Sequence, residues 1–205
     1  MKDLLIFPYN GNGLEALDCL GTEYNFIGFV DDTPEKQGIN PLGFDVFSRE
    51  ILSKYPNALI LAVPGSPSSY SIRKKIIYDL EISPERFATI IHPKASVSPF
   101  AKVGKNTVLM SGVVLTSNCV IGDHVCILPN TVVHHDSTVG DFTLIGSNVT
   151  IAGNTTIENN CYIGSGASVI NGISIGEHSL VGMGTNVIKS IPKYSKTVGN
   201  PARIL

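Results

Sequence analysis

The sequence predicts two units in series. Residues 1–90 form a small α/β sheet unit, and residues 91–205 form a parallel β-helix of six-residue repeats. Three observations carry this. An aliphatic residue recurs every six positions over the second half. Strand and helix patterns alternate over the first half. Charge is uneven, with 20 of the 32 Lys, Arg, Asp and Glu residues in the first ninety.

In the first unit, Leu4–Phe7 reads as a strand, Asn10–Gly13 as a tight turn and Leu14–Leu20 as a helix. Asn25–Val30 reads as a second strand ending in Asp31 and Asp32, Phe47–Tyr55 as a helix, Ala58–Val63 as a strand and Ser71–Leu80 as a helix. Such alternation implies a parallel sheet with helices on both faces. A glycine turn (Asn10, Gly11, Asn12) entering a helix suits an anion, and acids ending the second strand suit a ribose or base. A plain turn and a solvated strand end explain the same residues, because the full dinucleotide fingerprint is missing.

In the second unit, stepping by six from Ile91 gives Val97, Val103, Leu109 and so on to Val187, every one Ile, Val or Leu. Four residues further on lies a row of small or β-branched residues, from Ala95 to Ile191. A period of six cannot be helical, where faces recur at 3.6. Short strands joined by turns fit it, and eighteen residues make one triangular coil. The repeat runs without insertion from 91 to 192. Outer positions rich in Thr, Val and Ile leave surface to bury, as side-by-side homotrimer packing would do.

A net charge of −2 gives no electrostatic footprint for nucleic acid or anionic membrane. No 18-residue apolar run is present, so a membrane-crossing helix is not expected. The N-terminal apolar stretch runs into a Gly-rich turn rather than a cleavage site, so a signal peptide is not expected either. Cys19, Cys119, Cys126 and Cys161 show no CxxC spacing and read as free, buried thiols in a reducing cytoplasm.

Two of the five histidines stand together in Val133-His134-His135-Asp136. The slot of His135 holds Ser117 one coil earlier and Gly153 one coil later, so this is no structural ladder. An imidazole beside a carboxylate suits proton transfer near neutral pH. A solvated surface histidine is the plainer alternative. His124 and His178 follow acids in turns and read as solvated; His92, before Pro93, reads as shaping the junction between units.

Taken together, Gly11-Asn12-Gly13, Gly28–Asp32, Ile72–Ile76, Ile91-His92-Pro93, the repeat, His135-Asp136 with Gly140-Asp141-Phe142, Ala152-Gly153-Asn154 and Gly199–Arg203 resemble one group across nearly the whole chain. It is the nucleotide-sugar N-acetyltransferases of the PglD, NeuD and PerB type. The resemblance implies a Rossmann-like nucleotide-sugar-binding unit, a left-handed β-helix, and acetyl-CoA bound between subunits of a homotrimer. The acceptor it implies is a nucleotide-linked amino sugar, commonly a 4-amino-4,6-dideoxyhexose destined for a surface glycan.

By that resemblance His135 is the base, Asp136 its partner, and the Gly153 N–H an oxyanion donor. Acetyl-CoA would lie along Leu144, Gly153, Gly164, Ser165, Gly182, Met183 and Gly184, with Lys189 and Arg203 near its phosphates. The nucleotide sugar would meet Asn10, Gly11, Asn12, Asp31, Asp32, Pro64 and Gly65. The chain departs from the pattern at Pro8, at Asn12 and Leu144 (where histidine is common), and at Val63–Pro67. Sugar, nucleotide and acyl group therefore stay open. So do O-acetylation of a sugar or sialic acid and a non-catalytic, nucleotide-sugar-binding scaffold. Metal is not expected: the related zinc β-helices use three separated histidines, unlike an adjacent pair.

Overall fold

The computed structural model describes all residues, 1–205. The first unit is a five-stranded sheet in the order β3-β4-β2-β1-β5. Its elements are β1 (Lys2–Phe7), α1 (Gly11–Leu17), β2 (Tyr24–Val30), β3 (Gly38–Ile39), β4 (Asp45–Phe47), α2 (Ile51–Lys54), β5 (Leu59–Ala62) and α3 (Arg73–Tyr78). Alternation along β1 divides the core. Leu4 and Ile6 pack with Ala16 of α1, whereas Leu5 and Phe7 pack with Ile51, Leu52 and Ile77 on the opposite face.

The structure corrects three expectations here. The helix after the first turn begins at Gly11 rather than Leu14, because the Asn10 side chain caps it by accepting from the Gly13 N–H at 2.8 Å. Phe47 lies in a strand and pairs with Val30, so the helix there is confined to Ile51–Lys54. The sheet is mixed, since β3 joins β4 antiparallel.

From Ile90 onward, two-residue strands stack in parallel into three faces. The docked face holds Ile90–Ile91, Val108–Leu109, Cys126–Ile127, Leu144–Ile145, Tyr162–Ile163 and Leu180–Val181. A second face runs from Ser96–Val97 to Asn186–Val187, and a third from Lys102–Val103 to Ser174–Ile175. The second residue of each pair points inward, and from Leu109 to Val187 all are buried. Ile91, at the open top of the prism, stays 42% exposed.

The small-residue row solves a hydrogen-bonding problem. Thr131 Oγ1 donates to the Gly146 carbonyl at 2.7 Å and accepts from the Val149 N–H at 3.1 Å; Thr107, Ser137 and Thr143 repeat the pattern. A buried hydroxyl thereby satisfies itself and a corner amide together. Corners turn through left-handed residues, among them Asn118, Asn130, Asp136, Asn148 and Asn154, which explains the regular Asn, Asp and Gly. One register expectation fails: the last coil is shorter, and Ile191 pairs under Ile175 in the aliphatic row instead of entering the small-residue row.

Two side chains stand out among the contacts that fasten the units. Asn106 accepts from the Ala62 N–H at 2.7 Å and donates to the Ala62 carbonyl at 2.9 Å, so a side chain completes the open edge of β5. Fully buried Arg73 donates to the Pro64 carbonyl at 2.6 Å and to the His124 carbonyl. No helix is long and apolar enough to cross a membrane.

Candidate active site

His135 sits at the corner between the second and third faces. Asp136 is left-handed at φ 58°, which brings its carboxylate back beside the ring, with Oδ2 2.8 Å from His135 Nδ1. Asn118 donates to the other oxygen at 3.2 Å. The hydrogen bond from His135, then that from Asn118, holds the Asp136 carboxyl below its usual range. A carboxylate only accepts, so Nδ1 carries the proton of the neutral ring and Nε2 offers a lone pair.

Nε2 lies against Gly153. A methyl group at 153 would approach it to 2.6 Å, so glycine is what lets the ring rest on the next coil. At some corners the N–H is accepted by the same-slot side chain one coil on: Lys105 by Asp123, Asp123 by Asp141, Ser147 by Ser165. The N–H groups of His135 and Gly153, like those of Ser111, Ser117 and Ser165, have no such acceptor. This corner therefore combines an imidazole lone pair, an orienting carboxylate and unpaired amide donors.

A second candidate region lies on another edge. Asn12, Gly65, Ser66 and Pro67 face Cys126, Leu128, Leu144, Gly146 and Tyr162 across a cavity of about 210 Å³ between the units. Gly65, at φ 133°, needs glycine, and a side chain there would strike Leu144 Cδ1 at 2.5 Å. Asn12 Nδ2 reaches the Gly65 carbonyl at 3.4 Å. Pro64 is buried, and its carbonyl is occupied by Arg73. Gly164, Ser165, Gly182, Met183 and Gly184 continue this edge downward, at corners between the docked and second faces.

The expected residues thus divide. His135, Asp136, Gly153 and Lys189 belong to one edge; Leu144 and the Gly164–Gly184 group belong to another. A four-residue corner plus a two-residue strand separates them, at most ~20 Å of chain. Lys189 does meet Arg203, in a cleft at the far end of the prism shared with Thr197 and Ala202. Asp31 and Asp32 are already engaged. Burial would raise the Asp31 carboxyl, but hydrogen bonds from Lys36 (2.8 Å) and the Thr33 N–H (3.0 Å) outweigh it and hold it low. Asp32 accepts from the Arg49 backbone at 2.9 Å and from its guanidinium at 2.5 Å.

The reading of His124 as solvated is wrong. It is 8% exposed, stacked on Phe142 at 4.6 Å, and bonded through Nδ1 to Asn106 at 2.9 Å. Burial first, and then the Arg73 charge, push it down to about 4. His178 is half-buried and stacked on Tyr194 at 5.2 Å. His92 lines a groove with Glu15 of α1 and Asp18 just beyond it. No cluster of three or more His, Cys, Asp or Glu side chains could hold a metal ion.

Sequence reasoning missed Cys126, Leu128, Tyr162 and Arg73. A signal for the docked face existed. The outward residues Val108, Cys126, Leu144, Tyr162 and Leu180 are apolar or aromatic, whereas Thr138, Thr156 and Ser174 stand at the same position on the third face.

Residues 118–153 match the family model "Bacterial transferase hexapeptide (six repeats)", and residues 154–189 match "Hexapeptide repeat of succinyl-transferase". No curated protein matches. Among solved structures, the chain is similar to the acetyltransferase domain of PglB from Neisseria gonorrhoeae in complex with acetyl coenzyme A. Identity is 29%, coverage 100% of this chain and 99% of that one, and the TM-score 0.87. WeeI from Acinetobacter baumannii shares 26% identity over 100% of both chains, with a TM-score of 0.85. PerB from Caulobacter crescentus, in complex with CoA and GDP-perosamine, shares 25% over 100% of this chain and 97% of its own, at 0.83.

Proposed function

We propose that this chain, a hexapeptide-repeat acyltransferase, moves the acetyl group of acetyl-CoA onto the amine of a nucleotide-linked amino sugar. The observation that carries the reading is the His135 corner. The imidazole has Nδ1 fixed by Asp136, Nε2 against Gly153, and an unpaired amide at hand. The overall similarity to PglB and PerB supplies the reaction class.

In the transfer the amine attacks the thioester carbonyl, a C–N bond forms and the C–S bond breaks. His135 Nε2 takes the proton the amine must lose and delivers it to the departing thiolate. Asp136 stabilises the imidazolium in between. In this reading the Gly153 N–H, which has no acceptor in the chain, meets negative charge developing on the carbonyl oxygen. No step needs a covalent enzyme intermediate.

The division of site residues between two edges supports a homotrimer. A threefold packing of prisms sets the His135 edge of one copy against the Leu144–Gly184 edge of its neighbour, and a groove between copies then gathers both sets. In it, the corners at Gly164, Gly182 and Gly184 border acetyl-CoA, with open space for its close approach at Gly184, and Lys189 and Arg203 are the cations for its phosphates. The cleft after β1 and β5, with Asn12 and Gly65, takes the sugar end of the acceptor. Four free, buried thiols suit a reducing compartment, so we place the enzyme in the cytoplasm.

The test is thiol release from acetyl-CoA with a panel of UDP-, dTDP- and GDP-linked 4-amino sugars, run beside His135→Ala. Release with one amino sugar, lost in the variant, is expected. Release only with hydroxyl acceptors would move the reading to O-acetylation, and binding without turnover would move it to a scaffold.

A further inference from the structure

The cavity between the units has two unlike sides. Its sheet-unit rim is polar, with Asn12 and Ser66. Its β-helix floor is Cys126, Leu128, Leu144, Ile145, Gly146 and Tyr162, without a charged side chain. Burial pushes the Cys126 thiol up to about 11, so it stays neutral. Apart from the Tyr162 hydroxyl, such a floor offers no partner to a phosphate or an ammonium, and sugar hydroxyls placed over Cys126, Leu128 and Leu144 would lose their hydrogen bonds to water. It suits an alkyl group.

Its height on the prism matters as much. Leu144, Ile145 and Gly146 fall between His135 and Gly153 in sequence, and on a steadily climbing stack they fall between them in height. A threefold axis parallel to the prism carries one copy onto the next without changing height. In the trimer proposed above, on which this inference rests, the floor thus faces the neighbour's His135 and Gly153 at the level of the reacting carbonyl. The volume of about 210 Å³, which the sugar end shares from the Asn12 and Gly65 side, exceeds a methyl group, itself comparable to one water at roughly 30 Å³.

We propose that Leu144, with Cys126, Leu128 and Tyr162, forms an acyl-chain pocket, so that the protein accepts propanoyl and butanoyl thioesters as well as acetyl. Bond changes are those of acetyl transfer: C–N forms, C–S breaks, and the amine proton passes through His135 to the thiolate. Only the alkyl tail differs, and it moves from water into the Leu144 floor.

The experiment measures acetyl-, propanoyl- and butanoyl-CoA binding by calorimetry without acceptor, then transfer by the mass of the sugar product. Burying each added methylene is expected to tighten binding about fourfold, hence about fifteenfold from acetyl to butanoyl. Leu144→Phe and, independently, Leu128→Phe fill the floor and should bring that ratio to within twofold. Acetyl-CoA binding as tightly as butanoyl-CoA, with transfer confined to acetyl, overturns the pocket and leaves the transferase reading intact. Failure of every thioester to transfer to every amino sugar overturns both.

Discussion

Replacing Gly153 with alanine tests the geometry of the His135 corner most directly. Gly153 is not among the residues with positive φ, so a methyl group strains no backbone there. Its only conflict is with the imidazole, at 2.6 Å from Nε2 and 2.7 Å from Cε1. Ordinary contact needs about 3.5 Å, so the ring must move by about 1 Å. The His135 side chain is 57% exposed and can swing into solvent at little cost to folding. A displacement of that size is expected to lower kcat/KM about 100-fold, equivalent to ~2.7 kcal/mol of transition-state stabilisation. Thiol-release kinetics read the loss, and thermal melting should show a Tm within a degree or two of the parent. The double variant with His135→Ala should be no worse than His135→Ala alone, because both changes remove the same interaction. Parent-like kcat/KM in Gly153→Ala would refute the assignment of Nε2 as the working atom.

Two other expectations come from charged groups. Asp136→Asn keeps a residue that tolerates the left-handed corner but removes the charge beside the imidazolium; kcat should fall at least about tenfold with KM nearly unchanged, short of the His135→Ala loss. Stability should also depend on pH through His124, which faces Arg73, Asn106, Asp123 and Asp141. Its folded pKa of about 4 lies below the unfolded value near 6.5, so the unfolded chain binds the proton first. Unfolding free energy should therefore fall as pH drops from about 6.5 to 4, by up to about 3 kcal/mol. Denaturant titrations across that window should show a shallower slope in His124→Asn; an unchanged slope would point to other groups.

The β-helix was legible because one geometric constraint repeats in every coil, so each residue from Leu109 to Val187 tests the same hypothesis again. Elements decided by a single tertiary contact were not legible. Phe47, Ile51 and Tyr55 share a helical spacing, yet pairing of Phe47 with Val30 wins and extends the sheet. His124 occupies a turn by local pattern, but the packing of α3 and Phe87 over that corner buries it. Asp31 and Asp32 look free in the sequence because their partners, Lys36 and Arg49, lie outside any short motif. The His135–Asp136 corner proposed as the site stood out for the opposite reason: two histidines and an acid break a pattern that otherwise holds.

The corner hydrogen bonds have a consequence for how such a chain can change over generations. Lys105 to Asp123, Asp123 to Asp141 and Ser147 to Ser165 each span 18 residues. A single residue inserted or deleted inside a coil would shift the aliphatic row and break those links unless a corner absorbs the change, as in the shorter last coil. Insertion or loss of one complete coil preserves them all. The prism can therefore lengthen only in whole steps of about 4.8 Å. A step added between Gly153 and Lys189 would move the Lys189–Arg203 end away from His135 without disturbing His135 itself. The length of co-substrate such a protein can span is thus a heritable quantity that changes in discrete increments, independently of its chemistry.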